Sequence, residues 1–224
     1  MTNTIGPKLK IVSVFIFLGF LMTLGMTATI LLNPGGGDLY EIRPIANIIA
    51  DLVAASPQDI IIKLTSLVFD NFFIIGYLCI FYGLFLITKE RDRFISMLGL
   101  ALGLTTGVTD LLENALQVAL LNGVPNGWVP ADNVFSSLWL AMYVKDISSY
   151  MAGFVFFVLL LLSLNVPIEI RISKVIFVVL LGLYVSLGVV ALIEPLLLVF
   201  RNLSFMIDLL IASLLFRRIA SAIG

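Results

Sequence analysis

The chain has 224 residues, 61% hydrophobic and 12% charged, with 13 Lys+Arg against 14 Asp+Glu and no histidine. A soluble domain is about 45–50% apolar and about 25% charged, so a soluble globular fold is excluded and the mean hydropathy of +1.15 points to a polytopic membrane protein. A net charge of -1 offers nucleic acid no basic footprint, the missing histidine removes His triads, zincin motifs and His-ligated haem, and the single Cys79 excludes intrachain disulfides and Cys-cluster metal sites.

A spanning helix needs roughly 20 predominantly apolar residues. Six stretches qualify, near 11–32, 64–88, 94–121, 134–164, 172–193 and 196–216. Lys8 and Lys10 precede the first, as they would in a signal peptide. The apolar run is too long for such a peptide and no A-x-A site follows, so it reads as the first transmembrane helix. The loop 33–63 opens with Asn33-Pro34-Gly35-Gly36-Gly37-Asp38, a strong breaker. Pro44 can then start a short amphipathic helix over 44–55, with Ile45, Ile48, Ile49, Leu52 and Val53 on one face and Asn47 and Asp51 on the other. It is too short to span. It is either a helix lying in the membrane interface or a lid over an outer cavity. Trp128, in the irregular loop 122–133, is placed to anchor at the outer headgroups.

The basic residues give an independent check. Lys8 and Lys10, then Lys89, Arg91 and Arg93, then Arg171 and Lys174, then Arg217 and Arg218 all fall on one side of six alternating spans. Arg43, Lys63 at the edge of the second span and Arg201 near the edge of the sixth fall on the other. The positive-inside rule predicts an all-α bundle of six transmembrane helices in one transmembrane domain, 1–224, with both termini cytoplasmic. A bacterial inner membrane is the expected location.

Ionisable residues inside spans are expensive and are functional candidates by default. The second span carries Asp70, the third Asp110, Glu113 and Asn114, the fourth Lys145 and Asp146, the sixth Asp208. At 1.5 Å per residue, Asp70, Asp110, Glu113 and Lys145 all lie about 24–28 Å from the inner boundary. Three helices thus bring charge to one level just under the outer boundary. On the third span Thr106, Asp110, Glu113, Asn114 and Gln117 make one polar stripe. Gly99, Gly103 and Gly107 continue it below as a ridge that lets another helix backbone approach. Lys145 is expected to pair with one or more of Asp70, Asp110 and Glu113. One lysine cannot neutralise three acids, so at least one acid carries a proton or meets water. A network fixing helix register is the plainer alternative. Asp208, deeper and alone, is expected to be protonated or bonded to a neighbouring Ser or Thr. The outer half holds ten acids against four bases, an acidic mouth that would attract cations.

The text Phe69-Asp70-Asn71-Phe72-Phe73 with Tyr77, then Asp110-Leu111-Leu112-Glu113-Asn114, then Lys145, resembles a loose group of bacterial polytopic membrane proteins. These carry a D-x-x-E-N motif in one transmembrane helix and a lysine in the next. The group has no assigned activity, so the resemblance singles out residues and implies no reaction. No paired Asp-rich motif, Walker A or G-x-S-x-G is present, and the chain leans away from an enzyme with no catalytic residue assigned. The expected ligand-binding residues are Asp70, Asp110, Glu113, Asn114, Lys145 and Asp146, in an outward-facing pocket for a cation or small polar solute, with transport as an extension. A non-catalytic subunit of a larger membrane complex is the alternative, and a lipid-modifying enzyme the third. The expected partners are the bilayer, a small cationic or polar ligand and other membrane proteins, not nucleic acid; no metal or cofactor is named by these residues.

Overall fold

A computed structural model describes residues 5–32, 44–162, 168–194 and 196–223. The Asn33–Asp38 turn, Glu41, Arg43, the last residues of the fourth expected span and Pro195 lie outside the described residues. Within them the chain is helical and contains no strand. The helices are α1 (Ile5–Leu32), α2 (Ile45–Ala54), α3 (Pro57–Thr88), α4 (Arg93–Gly123), α5 (Asp132–Leu161), α6 (Ile168–Ala191) and α7 (Leu197–Ile223). All but α2 are long and apolar enough to cross a membrane, which fits an integral membrane protein.

The helices overrun most of the apolar stretches. α3 begins at Pro57 rather than at 64, because the capping signal lies outside the apolar run. Ser56 Oγ accepts from the Asp59 N–H at 3.2 Å, and Asp59 Oδ2 accepts from the Ser56 N–H at 3.1 Å. This is a reciprocal capping box, with Pro57 in the first turn where its missing N–H costs nothing. Ser56→Ala is therefore expected to cost about 1 kcal/mol, measured as a lower unfolding temperature; an unchanged temperature would mean that the cap is not formed. Asp92 caps α4 singly, its Oδ1 accepting from the Ile95 N–H at 2.9 Å. α4 ends in a 3-10 turn, Val124–Asn126, closed by Gly127 at φ 89°, a left-handed conformation that suits glycine. Trp128 folds back over Gly123, its N–H donating to the Gly123 carbonyl at 3.0 Å.

The six long helices pack as a closed ring. α1 packs on α3, α3 on α4, α4 on α5, α5 on α6, α6 on α7, and α7 returns to α1. The centre is filled by side chains, with Tyr77, Phe81, Tyr150, Phe156, Phe177, Tyr184 and Phe216 among its buried aromatics. The outer surface is apolar in the manner of a lipid-facing bundle: Val108, Phe154, Val179 and Val199 are all exposed.

One expectation about packing changes. The ridge of Gly99, Gly103 and Gly107 does not meet a helix backbone. It receives side chains, Phe156 and Val155, Phe81, and Leu78 respectively. The backbone-to-backbone approach occurs instead where Gly19 of α1 crosses Gly76 of α3; a Cβ on either would lie 2.6–2.7 Å from the other's Cα. The short helix α2, with Pro44 just before its first turn, buries Ile48 and Leu52 against Leu67 of α3, Leu120 and Leu121 of α4, and Phe135 and Leu138 of α5. Its apolar face therefore meets the end of the bundle.

Candidate functional site

The polar stripe of α4 is fully inside. Thr106, Asp110, Glu113, Asn114 and Gln117 are all buried, and Glu113 has no exposed surface. Five residues at i, i+4, i+7, i+8 and i+11 share one helix face, and that face meets α3 and α5.

Lys145 of α5 reaches across to this stripe. Its Nζ lies 2.6 Å from Glu113 Oε2 and 3.2 Å from Asp110 Oδ1. Each acid is held from a second direction. The Tyr77 hydroxyl of α3 donates to Asp110 Oδ2 at 2.8 Å, and Gln117 Nε2 donates to Glu113 Oε1 at 3.0 Å. One turn inward, the Thr106 and Ser148 hydroxyls bond at 2.9 Å and tie α4 to α5.

Asp70 is in the same buried neighbourhood and is held by an amide of α4. Asn114 Nδ2 donates to Asp70 Oδ2 at 2.6 Å and approaches Asn71 Oδ1 at 3.2 Å. Asp70 is buried, and the Asn114 amide is the group bonded to its carboxyl. Asn114 Oδ1 is buried without a donor. The cluster thus splits in two: an ammonium shared by two carboxyls, and a carboxyl held by an amide.

Asp146 does not join this group, a departure from the expected set. Successive residues on a helix differ by roughly 100° in direction, so Asp146 points away from the partners of Lys145. It meets α7, where Arg201 NH1 donates to Asp146 Oδ1 at 3.1 Å and to the Tyr150 hydroxyl at 2.6 Å. The rest of the guanidinium is held by Asn202 Oδ1 at 2.8 and 3.0 Å. Tyr150 packs edge-on against Tyr184, whose hydroxyl bonds Ser149. Phe205 then links Tyr184 back to Tyr77 and Phe73.

Arg201, Tyr150 and Tyr184 are the residues that sequence reasoning missed here. A signal did exist. Lys145 and Asp146 cannot face one partner, so Asp146 needed a second cation at its own level, and Arg201 at the start of the sixth span is that cation. Gln117, counted only as part of the stripe, takes a defined place on Glu113.

Access is uneven. The Lys145 side chain retains 21% exposure and Asp146 26%, against 0% for Glu113. One to two turns along α3, α4 and α5 from the cluster, Leu67, Leu120, Leu121 and Leu138 are buried with Ile48 and Leu52 of α2. The described residues contain no group of three or more His, Cys, Asp or Glu able to hold a metal ion. Comparison with known proteins returns no matching family, no similar curated protein and no similar solved structure.

Proposed function

We propose that this integral membrane protein binds a cation or a small amine-bearing or polar solute at the Asp70–Asp110–Glu113–Lys145 cluster, reached from the outer side, with transport as the extension of that binding. The resemblance to D-x-x-E-N membrane proteins belongs to the same proposal. The observation that carries it is an imbalance of partners. Lys145 is shared by Asp110 and Glu113, while Asp70 is held by the Asn114 amide and Asn114 Oδ1 beside it lacks a donor among the described residues. The Asp70 carboxyl and the Asn114 Oδ1 acceptor lie together in a buried site, so what they call for is positive charge and hydrogen-bond donors. An ammonium group supplies both. A divalent metal would want more oxygen ligands than the described residues gather.

The orientation rests on charge. Lys8, Lys10, Lys89, Arg91, Arg93, Arg171, Lys174, Arg217 and Arg218 share one end of the ring, and we assign that end to the cytoplasm of a bacterial inner membrane. Cysteine labelling at Gly127 from the outer side only is the expected result; label reaching it from the cytoplasm alone would overturn the orientation.

Ligand binding is tested by thermal unfolding of the protein in nanodiscs, titrated with methylammonium, sodium or potassium. A ligand at 100 times its Kd stabilises by about 2.7 kcal/mol. A saturable rise in the unfolding temperature for wild type, absent in Asp70→Asn, is expected. The apolar seal of α2 favours a second reading, in which the charges only fix helix register within a larger complex. That reading holds if none of these ions moves either protein.

A further inference from the structure

We propose that Asp208 is a second site, separate from the outer cluster, whose ligand is an exchangeable proton. Asp208 lies about 16 Å from the outer end of α7 and about 22 Å from its inner end at 1.5 Å per residue. It is therefore well inside the apolar depth. It is 1% exposed, and neither Oδ1 nor Oδ2 has a hydrogen-bond partner among the described residues.

The groups that could have answered it are engaged elsewhere. The Ser204 hydroxyl, one turn outward, donates to the Arg201 carbonyl at 2.9 Å. The Ser213 hydroxyl donates to the Ser13 carbonyl of α1 at 2.9 Å. Arg201, two turns outward, is held by Asp146, Tyr150 and Asn202. Its neighbours along α7, Leu209, Ala212, Leu215 and Phe216, belong to the apolar core.

A bare carboxylate in such a place costs far more than a fold's whole net stability. Something positive must sit on it. A metal ion would need several oxygen ligands, and no cluster able to hold one exists among the described residues. A proton needs only the carboxylate itself.

A leucine or asparagine here would pack at less cost, and acids kept at this depth mark proton routes in membrane proteins. Position gives the route a direction. Arg201, Ser204 and Asp208 stand at i, i+3 and i+7 on one face of α7, so the carboxyl continues inward from the Arg201–Asp146 pair.

The test is infrared difference spectroscopy of the full-length protein in lipid nanodiscs, with Asp208→Asn and Asp208→Glu as variants. The expected result is a protonated-carboxyl C=O band that shifts to lower frequency within minutes of transfer to D2O. The band is lost in Asp208→Asn and displaced in Asp208→Glu, which keeps the assignment secure if the asparagine variant folds poorly. A second arm uses dicyclohexylcarbodiimide. The carboxyl proton passes to a carbodiimide nitrogen and the carboxylate oxygen adds to the central carbon. The resulting O-acylisourea rearranges to a stable N-acylurea, with nothing oxidised and no group lost. Peptide mass mapping should find the adduct on Asp208. Absence of any Asp208-dependent band, or a band that stays unshifted in D2O, would overturn the proposal; the latter identifies a sealed structural carboxyl. Neither outcome depends on whether the outer cluster binds an amine.

Discussion

Lys145→Met should destabilise the protein by about 3–5 kcal/mol, the usual consequence of removing one partner of a buried ion pair. The variant leaves Glu113, which has no exposed surface, with Gln117 as its remaining hydrogen-bond partner, and leaves Asp110 with Tyr77. Neither an amide nor a phenol supplies the missing charge. Adding Glu113→Gln removes one of the two stranded carboxylates, so the double variant should be more stable than Lys145→Met alone. The geometry also names a control. Asp70 is held by Asn114, whereas Glu113 and Asp110 take the 2.6 and 3.2 Å contacts with the Lys145 ammonium, so Asp70→Asn should offset less of the Lys145→Met loss than Glu113→Gln does. Thermal unfolding of the single and double variants in detergent decides the matter. Additivity for Lys145 with Glu113 would mean that the pair contributes nothing as a pair.

The second large effect lies at the crossing of α1 and α3. In Gly19→Ala the new Cβ would stand 2.7 Å from the Gly76 Cα, and the nearest atoms are all backbone. No rotamer can relieve this contact, so the two helices must part. The cost is expected at the upper end of the 1–3 kcal/mol typical of overpacking, or above it. Gly107→Ala is the comparison. Its Cβ would stand 2.8 Å from Leu78 Cδ2, the far end of a flexible side chain, and a rotamer change absorbs much of the conflict. Unfolding temperatures should therefore fall further for Gly19→Ala than for Gly107→Ala. Equal losses would show that α1 and α3 are not in backbone contact.

These two contacts mark where the sequence is legible. The stripe from Thr106 to Gln117 can be read because helical spacing alone puts its members on one face, and an acid-rich face is too costly to turn to lipid. The common level of Asp70, Glu113 and Lys145 can be read because rise per residue is fixed. Partner choice cannot. Asp70, Asp110 and Glu113 are all at the height of Lys145, and nothing local reports how α3, α4 and α5 are rotated about their own axes. The same gap hid Arg201, which looks like a loop-edge base until α7 is seen beside α5. The periodicity of α2 shows an apolar face but not its destination, since lipid and the leucine-rich tops of α3 and α4 present the same chemistry. Glycines are ambiguous for a related reason: Gly103 and Gly76 look alike in the chain, yet one receives an aromatic ring and the other a backbone.

The closure of the ring has a consequence for biogenesis. Synthesis delivers the N-terminal helix first, and α1 can dock on α3 soon after both are inserted. Its other seam, with α7, waits for nearly the whole chain. Until then Ser13, whose carbonyl later accepts from Ser213, faces lipid or a temporary companion. The half-built bundle is thus an open arc with two unfinished edges, on α1 and on the newest helix. Ribosome stalling just before α7 emerges would trap this arc, the stage at which an insertion chaperone has most to shield.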